Sequence, residues 1–257
     1  MSQWVWRGLK TGIKTTGYPV AVDEAAGISP GLPLSIEVSE AQARALAERC
    51  PTQALRAHGR HVLVDYRRCV HCFRCVRGTP DPLPWQDGYE WAASVGAPAQ
   101  DSHGFAKPFA RSLHILVVDA GDCGACLNEV KQLSNPYYNM HRLGFFITPT
   151  PRQADVLLVV GPVTDHMRLP LQKAYEAMPT PRRVLAVGAC ALSGGVFGPS
   201  FVTGAGVADV IPVDVAVPGH PPPPLAILHG LMVLVGRRPP AALDSPPDAG
   251  HDGGNAP

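Results

Sequence analysis

With 257 residues, 46% of them hydrophobic and only 17% charged, the chain has material for one large packed domain or two smaller ones. A formal net charge of +1 gives no electrostatic case for binding nucleic acid or an acidic partner. No run reaches the roughly 18 uninterrupted apolar residues that cross a bilayer, and the opening MSQWVWRGLKTGIKTTGYP lacks the apolar stretch of a secretory signal. The expected location is therefore the cytoplasm, where seven cysteines stay thiols available for metal or redox chemistry.

In chain order, residues 1–36 read as an irregular arm. There Trp4 and Trp6 stand beside Arg7, Lys10 and Lys14, suited to a membrane surface, to a partner subunit or to packing on the arm's own domain. SEAQARALAER, 39–49, has helical spacing with Ser39 as N-cap. Cys50-Pro51, a short strand around HVLVDY and a cysteine triplet follow, completing a module over 37–80. Residues 81–111, rich in Pro, Gly and polar side chains, read as a linker. From 112 to 236 strands alternate with helices: SLHILVVDA, CLNEVKQLS, ADVLLVVG, DHMRLPLQKAYEAM, RRVLAVG, a short strand in VADVIPVD, and a buried helix around LAILHGLMVLVG. Continuous Val/Leu strands between helices predict a parallel sheet covered on both faces, with functional groups beyond the strands' carboxyl ends. The tail, 237–257, reads as disordered.

CVHCFRCVRGTP, 69–80, keeps the beat of bacterial ferredoxin motifs but has Thr79 where the fourth cysteine precedes proline. In two-cluster ferredoxins that fourth cysteine serves the other cluster. The corresponding cysteine for this triplet lies upstream, in Cys50-Pro51. Counting back from Cys50 in the same rhythm gives Leu46, Ala43 and Glu40, so the other cluster has lost all its ligands while this one keeps four. Residues 37–80 are thus expected to form a ferredoxin-like module with one [4Fe–4S] cluster on Cys50, Cys69, Cys72 and Cys75. Tetrahedral zinc is the alternative, although its usual grammar is paired C-x-x-C knuckles. His71, Arg67, Arg68, Arg74 and Arg77 read as solvated neighbours of that site.

The remaining cysteines follow strands: Cys123 and Cys126 in DAGDCGACLNEV, and Cys190 in VGACALSGG, with a further loop at VPGHPPPP. CxxCxxE at 123–129, RLGFFITPTPRQADVLLVVGPVT, MPTPRRVLAVGAC and IPVDVAVPGHPP occur in that order. Together they resemble the cluster-bearing small subunit shared by energy-converting membrane-bound [NiFe] hydrogenases, formate hydrogenlyases and complex I, over about 111–236. The expected fold class is α/β, a flavodoxin-like doubly wound parallel sheet preceded by a small ferredoxin-like α+β module. The resemblance implies a second [4Fe–4S] cluster on Cys123, Cys126 and Cys190. In the family the fourth ligand is the cysteine of PGCPP, and this chain has His220 in that place. Imidazole ligation, as in Rieske centres, would raise the reduction potential. A three-iron cluster, water, Asp122 or an empty site are the alternatives. The resemblance also implies Glu129 as a proton relay facing the catalytic subunit, whereas alone it reads as a solvated or capping residue. Arg152 and Asp155 read as orienting a strand and its interface.

The chain has no P-loop, no GxGxxG behind a strand and no nucleophile–base pair. The expectation is an iron–sulfur electron-transfer subunit of a membrane-associated oxidoreductase, with no complete active site of its own. It would sit peripherally on the cytoplasmic side of the inner membrane through partner subunits. The expected partner is a [NiFe]-hydrogenase-like large subunit, or a quinone-reactive, complex-I-like one. A redox-sensing or scaffold subunit with a decayed second cluster is the competing reading.

Overall fold

A computed structural model describes residues 2–95 and 111–242. Its elements, in order, are α1 (Gln3–Thr11), β1 (Leu32–Pro33), β2 (Ile36–Glu37), α2 (Glu40–Arg49), β3 (Leu55–His58) and β4 (His61–Val64). Next come β5 (Trp85–Gln86), β6 (Ala93–Ser94), β7 (Leu113–Asp119), α3 (Ala125–Gln132), β8 (Phe145–Ile147) and β9 (Val156–Val160). The chain closes with α4 (Asp165–Ala177), β10 (Arg183–Val187), α5 (Ala189–Ser193), β11 (Val215–Val217) and α6 (Pro224–Leu234).

The main sheet has the order β6-β11-β10-β9-β7-β8, parallel throughout except for β6 at one edge. Taken alone, the parallel strands run 2-1-3-4-5, the flavodoxin-like order with its switch point between β7 and β9. β9 is buried at every residue, which is why it reads as an unbroken apolar run. Cys126 and Val130 of α3 share a core with Leu225, Leu228 and Leu231 of α6 on one face. On the other, Leu171 of α4 packs with Ala191 and Leu192 of α5. The expected doubly wound α/β sheet is therefore present. Register aligns Asp119, Val160, Val187 and Val217 in one row at the carboxyl ends of four neighbouring strands. Whatever follows these residues meets at a single edge.

The smaller sheet, β2-β4-β3, is antiparallel, with α2 packed on it. Ser39 caps α2 in a full capping box with Gln42. Ala43 and Leu46 are buried against Leu55, Val62, Val64 and Leu83. Two of the positions where a second ferredoxin cluster would have its ligands thus hold the apolar core of this unit.

Several boundaries differ from expectation. The arm contains α1, and Tyr18 is fully buried. The expected linker is built into the fold as far as residue 95. Leu83, Trp91 and Ala92 are buried, β6 extends the main sheet, and the Trp91 indole donates to the Pro218 carbonyl at 2.9 Å. Residues 96–110, the rest of that linker, lie outside the described residues, as does the tail from 243. The tail's first residues are engaged: the Arg237 guanidinium donates to the Leu143 carbonyl, and the Ala241 N–H to that of Ala92. The strand expected in VADVIPVD begins only at Val215, because Pro212 cannot donate to a ladder and Val207–Asp209 forms a 3-10 turn instead. β8, an edge strand of three residues, is too short to show a period.

Candidate metal centres

Cys50 closes α2, and its sulfur accepts the Ala54 N–H at 3.2 Å. Cys69, Cys72 and Cys75 follow on a loop in which His71 and Phe73 adopt left-handed backbone, φ 50° and 58°. Such conformations cost an L-residue about 1–2 kcal/mol each and concentrate at functional sites. Here they turn the loop so that all four thiols line one hollow, walled by Trp85 and Pro33. Phe73 stacks on Trp85 with ring centroids 4.4 Å apart. The Arg49 guanidinium donates to the carbonyls of Arg74 and Arg77, lacing the loop to α2. Burial pushes the Cys69 thiol up to about 12, opposed by the His71 backbone N–H. Burial also raises Cys75, and the neighbouring Trp85 indole opposes it. The Trp85 N–H itself makes no well-formed hydrogen bond.

The second set stands on the aligned strand ends. After β7 the Asp119 carboxylate accepts the N–H groups of Gly121 and Asp122, and Asp122 accepts those of Gly124 and Leu127. This double turn holds Cys123 at the surface and leads Cys126 into the first turn of α3. Cys190 lies in the first turn of α5, directly after β10. Gly188 has φ 93°, and a Cβ there would lie 2.5 Å from the Cys126 sulfur. The His220 ring sits between two thiols: Nε2 is 4.0 Å from the Cys123 sulfur and Nδ1 3.9 Å from that of Cys190. Cys123, Cys126, Cys190 and His220 therefore gather at one place. Burial first, then the Asp122 charge, holds the Cys126 thiol far above its usual value. Burial and then Cys123 raise Cys190, while the Val196 N–H opposes the shift. Glu129, one turn along α3 from Cys126, is half-buried, and desolvation raises its pKa. Asp155 accepts the His114 N–H at 2.7 Å, tying the start of β9 to β7. Arg152 lies in the turn just before it.

The two sets share a seam. His71 is 9% exposed, not solvated as expected, and neither ring nitrogen has a hydrogen-bond partner. Burial, and then the proximity of His220, lowers it to about 4. The ring stands edge-on to Trp85 and Trp91, and its Cε1 would be 3.2 Å from a Cβ on Gly219, the neighbour of His220. Arg67 donates to the Leu192 carbonyl, and Ser193 donates back to that of Arg67. The loop of the first set thus rests on the loops of the second. Among the described residues, no three His, Cys, Asp or Glu side chains are arranged to hold a single metal ion.

The family described as NADH ubiquinone oxidoreductase, 20 Kd subunit, matches residues 123–234, from the first cysteine of the second set to the end of α6. A probable membrane-bound hydrogenase subunit of Pyrococcus furiosus is 42% identical over 129 residues, covering 50% of this chain and 77% of that subunit. The chain belongs to this family. An uncharacterized protein of Methanocaldococcus jannaschii is 46% identical over 122 residues, or 48% of this chain and 82% of that protein. Formate hydrogenlyase subunit 7 of Escherichia coli is 36% identical over 148 residues, or 55% of this chain and 58% of that subunit. The matched family span begins at Cys123, so the first cysteine set lies outside it, as do His71 and Arg67 on its side of the seam.

The grouping of Cys50 with Cys69, Cys72 and Cys75 was readable from spacing, and that of Cys123, Cys126 and Cys190 from their places after strands. His71, Trp85 and Trp91 were not: a single histidine between ligands, and tryptophans in a Pro-rich stretch, carry no spacing that marks a contact over more than a hundred residues.

Proposed function

We propose that the chain is an iron–sulfur electron-transfer subunit of a membrane-associated oxidoreductase complex, carrying two [4Fe–4S] clusters. Cys50, Cys69, Cys72 and Cys75 would hold the first; Cys123, Cys126 and Cys190, with His220 as fourth ligand, would hold the second. When bound, such clusters accept and release single electrons. The donor sets fit the groups. Four thiols share one hollow, backbone N–H groups of Ala54, His71 and Val196 approach cysteine sulfur, and Gly188 leaves the room that a side chain would fill. Among the described residues, the buried side-chain nitrogens and oxygens lacking a partner belong to His71, Trp85 and Asp122, which all flank these cysteines. Polar atoms orphaned in that pattern suit groups facing inorganic sulfur or iron.

The observation that carries the proposal is the seam. His71, Gly219 and His220 join the two sets through packed protein, so one chain can serve as a relay between an external donor and a partner's catalytic centre. By analogy with the hydrogenase relatives, the partner is a [NiFe]-hydrogenase-like large subunit, with Glu129 handling protons at that interface. The family description favours a second reading, a quinone-reactive, complex-I-like partner. The placement of His220 between two thiols supports ligation over a decayed site. The domain reading stands as part of this proposal: a ferredoxin-like module at 37–80 fused to the family domain at 112–236. Among the described residues no helix is long and apolar enough to cross a membrane, and the subunit is proposed to sit peripherally on the cytoplasmic face.

Iron analysis and EPR on anaerobically purified protein test the reading: about eight irons per chain for two cubes, about four for one. Cys69→Ala should remove about half the iron, and Cys126→Ala the other half. His220→Cys should lower the second cluster's potential by on the order of 100 mV. An iron-free, EPR-silent yet folded chain would sink the proposal.

A further inference from the structure

Ahead of the folded body, α1 projects without a buried residue. Val5, Trp6 and Leu9 share one side at helical spacing, and Lys10 flanks that side one turn from Trp6. Arg7 lies farther round with the exposed Trp4 one turn before it, and Lys14 is just beyond the helix. Trp6 is 60% and Leu9 69% exposed. The sequence from 2 to 22 contains no Asp or Glu. Nine residues with Gly8 near the middle fall short of the ~12–15 that hold an isolated helix in water. An apolar surface must therefore cover this face for the helix to persist.

The root of the arm is fixed. The Thr15 hydroxyl donates to the Pro136 carbonyl, the Thr16 N–H to that of Tyr137, and Arg142 and Arg238 donate to the carbonyls of Tyr18 and Pro19. Tyr18 is buried and donates its hydroxyl to Glu90. Gly12, at φ 67°, ends the helix just before this anchor. α1 is thus a short outrigger on a rigid mount, not a loose tail.

We propose that α1 lies in the interface of an anionic lipid bilayer, with Trp6 and Leu9 among the acyl chains and Arg7, Lys10 and Lys14 at the phosphates. A short Trp/Leu face flanked by basic residues and free of acids is the chemistry that anionic lipid selects. A groove on a partner protein would need acidic counterparts specific to it. Lipid needs only a negative surface. This contact would be the chain's own, independent of both the clusters and the partner subunits.

Flotation of the full chain with vesicles tests it. Binding is expected to phosphatidylcholine vesicles that contain phosphatidylglycerol, and not to phosphatidylcholine alone. Arg7→Gln/Lys10→Gln/Lys14→Gln should weaken binding roughly a hundredfold, from about 1 kcal/mol per basic residue near an anionic surface. Trp6→Ser/Leu9→Ser should abolish it. These side chains are exposed, so the melting temperature should not change, and iron content should match the parent. Equal binding to neutral vesicles, or none to anionic ones, would overturn the proposal. Release of the Trp6→Ser/Leu9→Ser variant from a purified membrane subunit, with no vesicle binding by the parent, would assign the face to protein instead.

Discussion

In the first cysteine set, three of the four thiols come from the seven residues between Cys69 and Cys75, and left-handed backbone at His71 and Phe73 aims them. In the second, the donors come from loops that end β7, β10 and β11; a local turn places Cys123 and Cys126, but nothing local brings Cys190 and His220 to them. Their meeting depends on the row formed by Asp119, Val160, Val187 and Val217. A locally built site survives damage elsewhere in the molecule. One assembled by strand order fails with the sheet. The two should therefore be separable by mutation.

The largest expected effect is Gly188→Ala. A side chain at φ 93° costs about 1–2 kcal/mol, and crowding the Cys126 sulfur adds about 1–3 kcal/mol. Urea unfolding should show a loss of about 2–5 kcal/mol, and iron at the second set should fall while the first keeps its own. Equal loss at both sets would mean the seam couples them more tightly than the separate origins imply. Leu46→Ala is the mirror experiment. It opens the small core under α2 and should cost about 2 kcal/mol, with iron lost at the first set only. Ser39→Ala removes the capping box of the same helix and should cost about 1 kcal/mol, too little to release metal, as a shift in the urea midpoint would show.

The smallest effect is a pH dependence in neither set. His229, inside α6, accepts the Ala92 N–H at Nδ1 and donates from Nε2 to the Pro239 carbonyl, which fixes a neutral tautomer. Burial lowers its pKa below the ordinary 6.5. The unfolded chain therefore binds this proton more readily than the folded one. Its contribution to stability is complete above about 6.5 and is lost as pH falls through the lower folded value. His229→Gln can keep both hydrogen bonds, and the difference between its midpoint–pH curve and the parent's should isolate this slope.

How far each part could be read in advance follows the same division. β7, β9 and β10 announce themselves as Val/Leu runs because both faces are covered, and α2 by its cap. β8 was hidden by brevity, β3 by its sequence LRAH, in which only Leu55 is buried, and β11 was displaced by Pro212. The first cysteine set was legible through spacing and the second through its place after strands, yet the seam was not. It depends on Trp91 and Ala92 in a stretch whose Pro and Gly content mimics a tether, and on His71, whose burial is decided by groups around residues 85, 91 and 219. Composition reports what a segment cannot do alone. It does not report what a distant surface makes of it.

The Trp91–Pro218 hydrogen bond has a further consequence. Separate carriers must find each other by diffusion, in an encounter that dilution and salt can defeat. Here both thiol sets belong to one polypeptide, and this bond acts with the Arg67–Leu192 and Ser193–Arg67 contacts, so the two sets stay neighbours at any concentration.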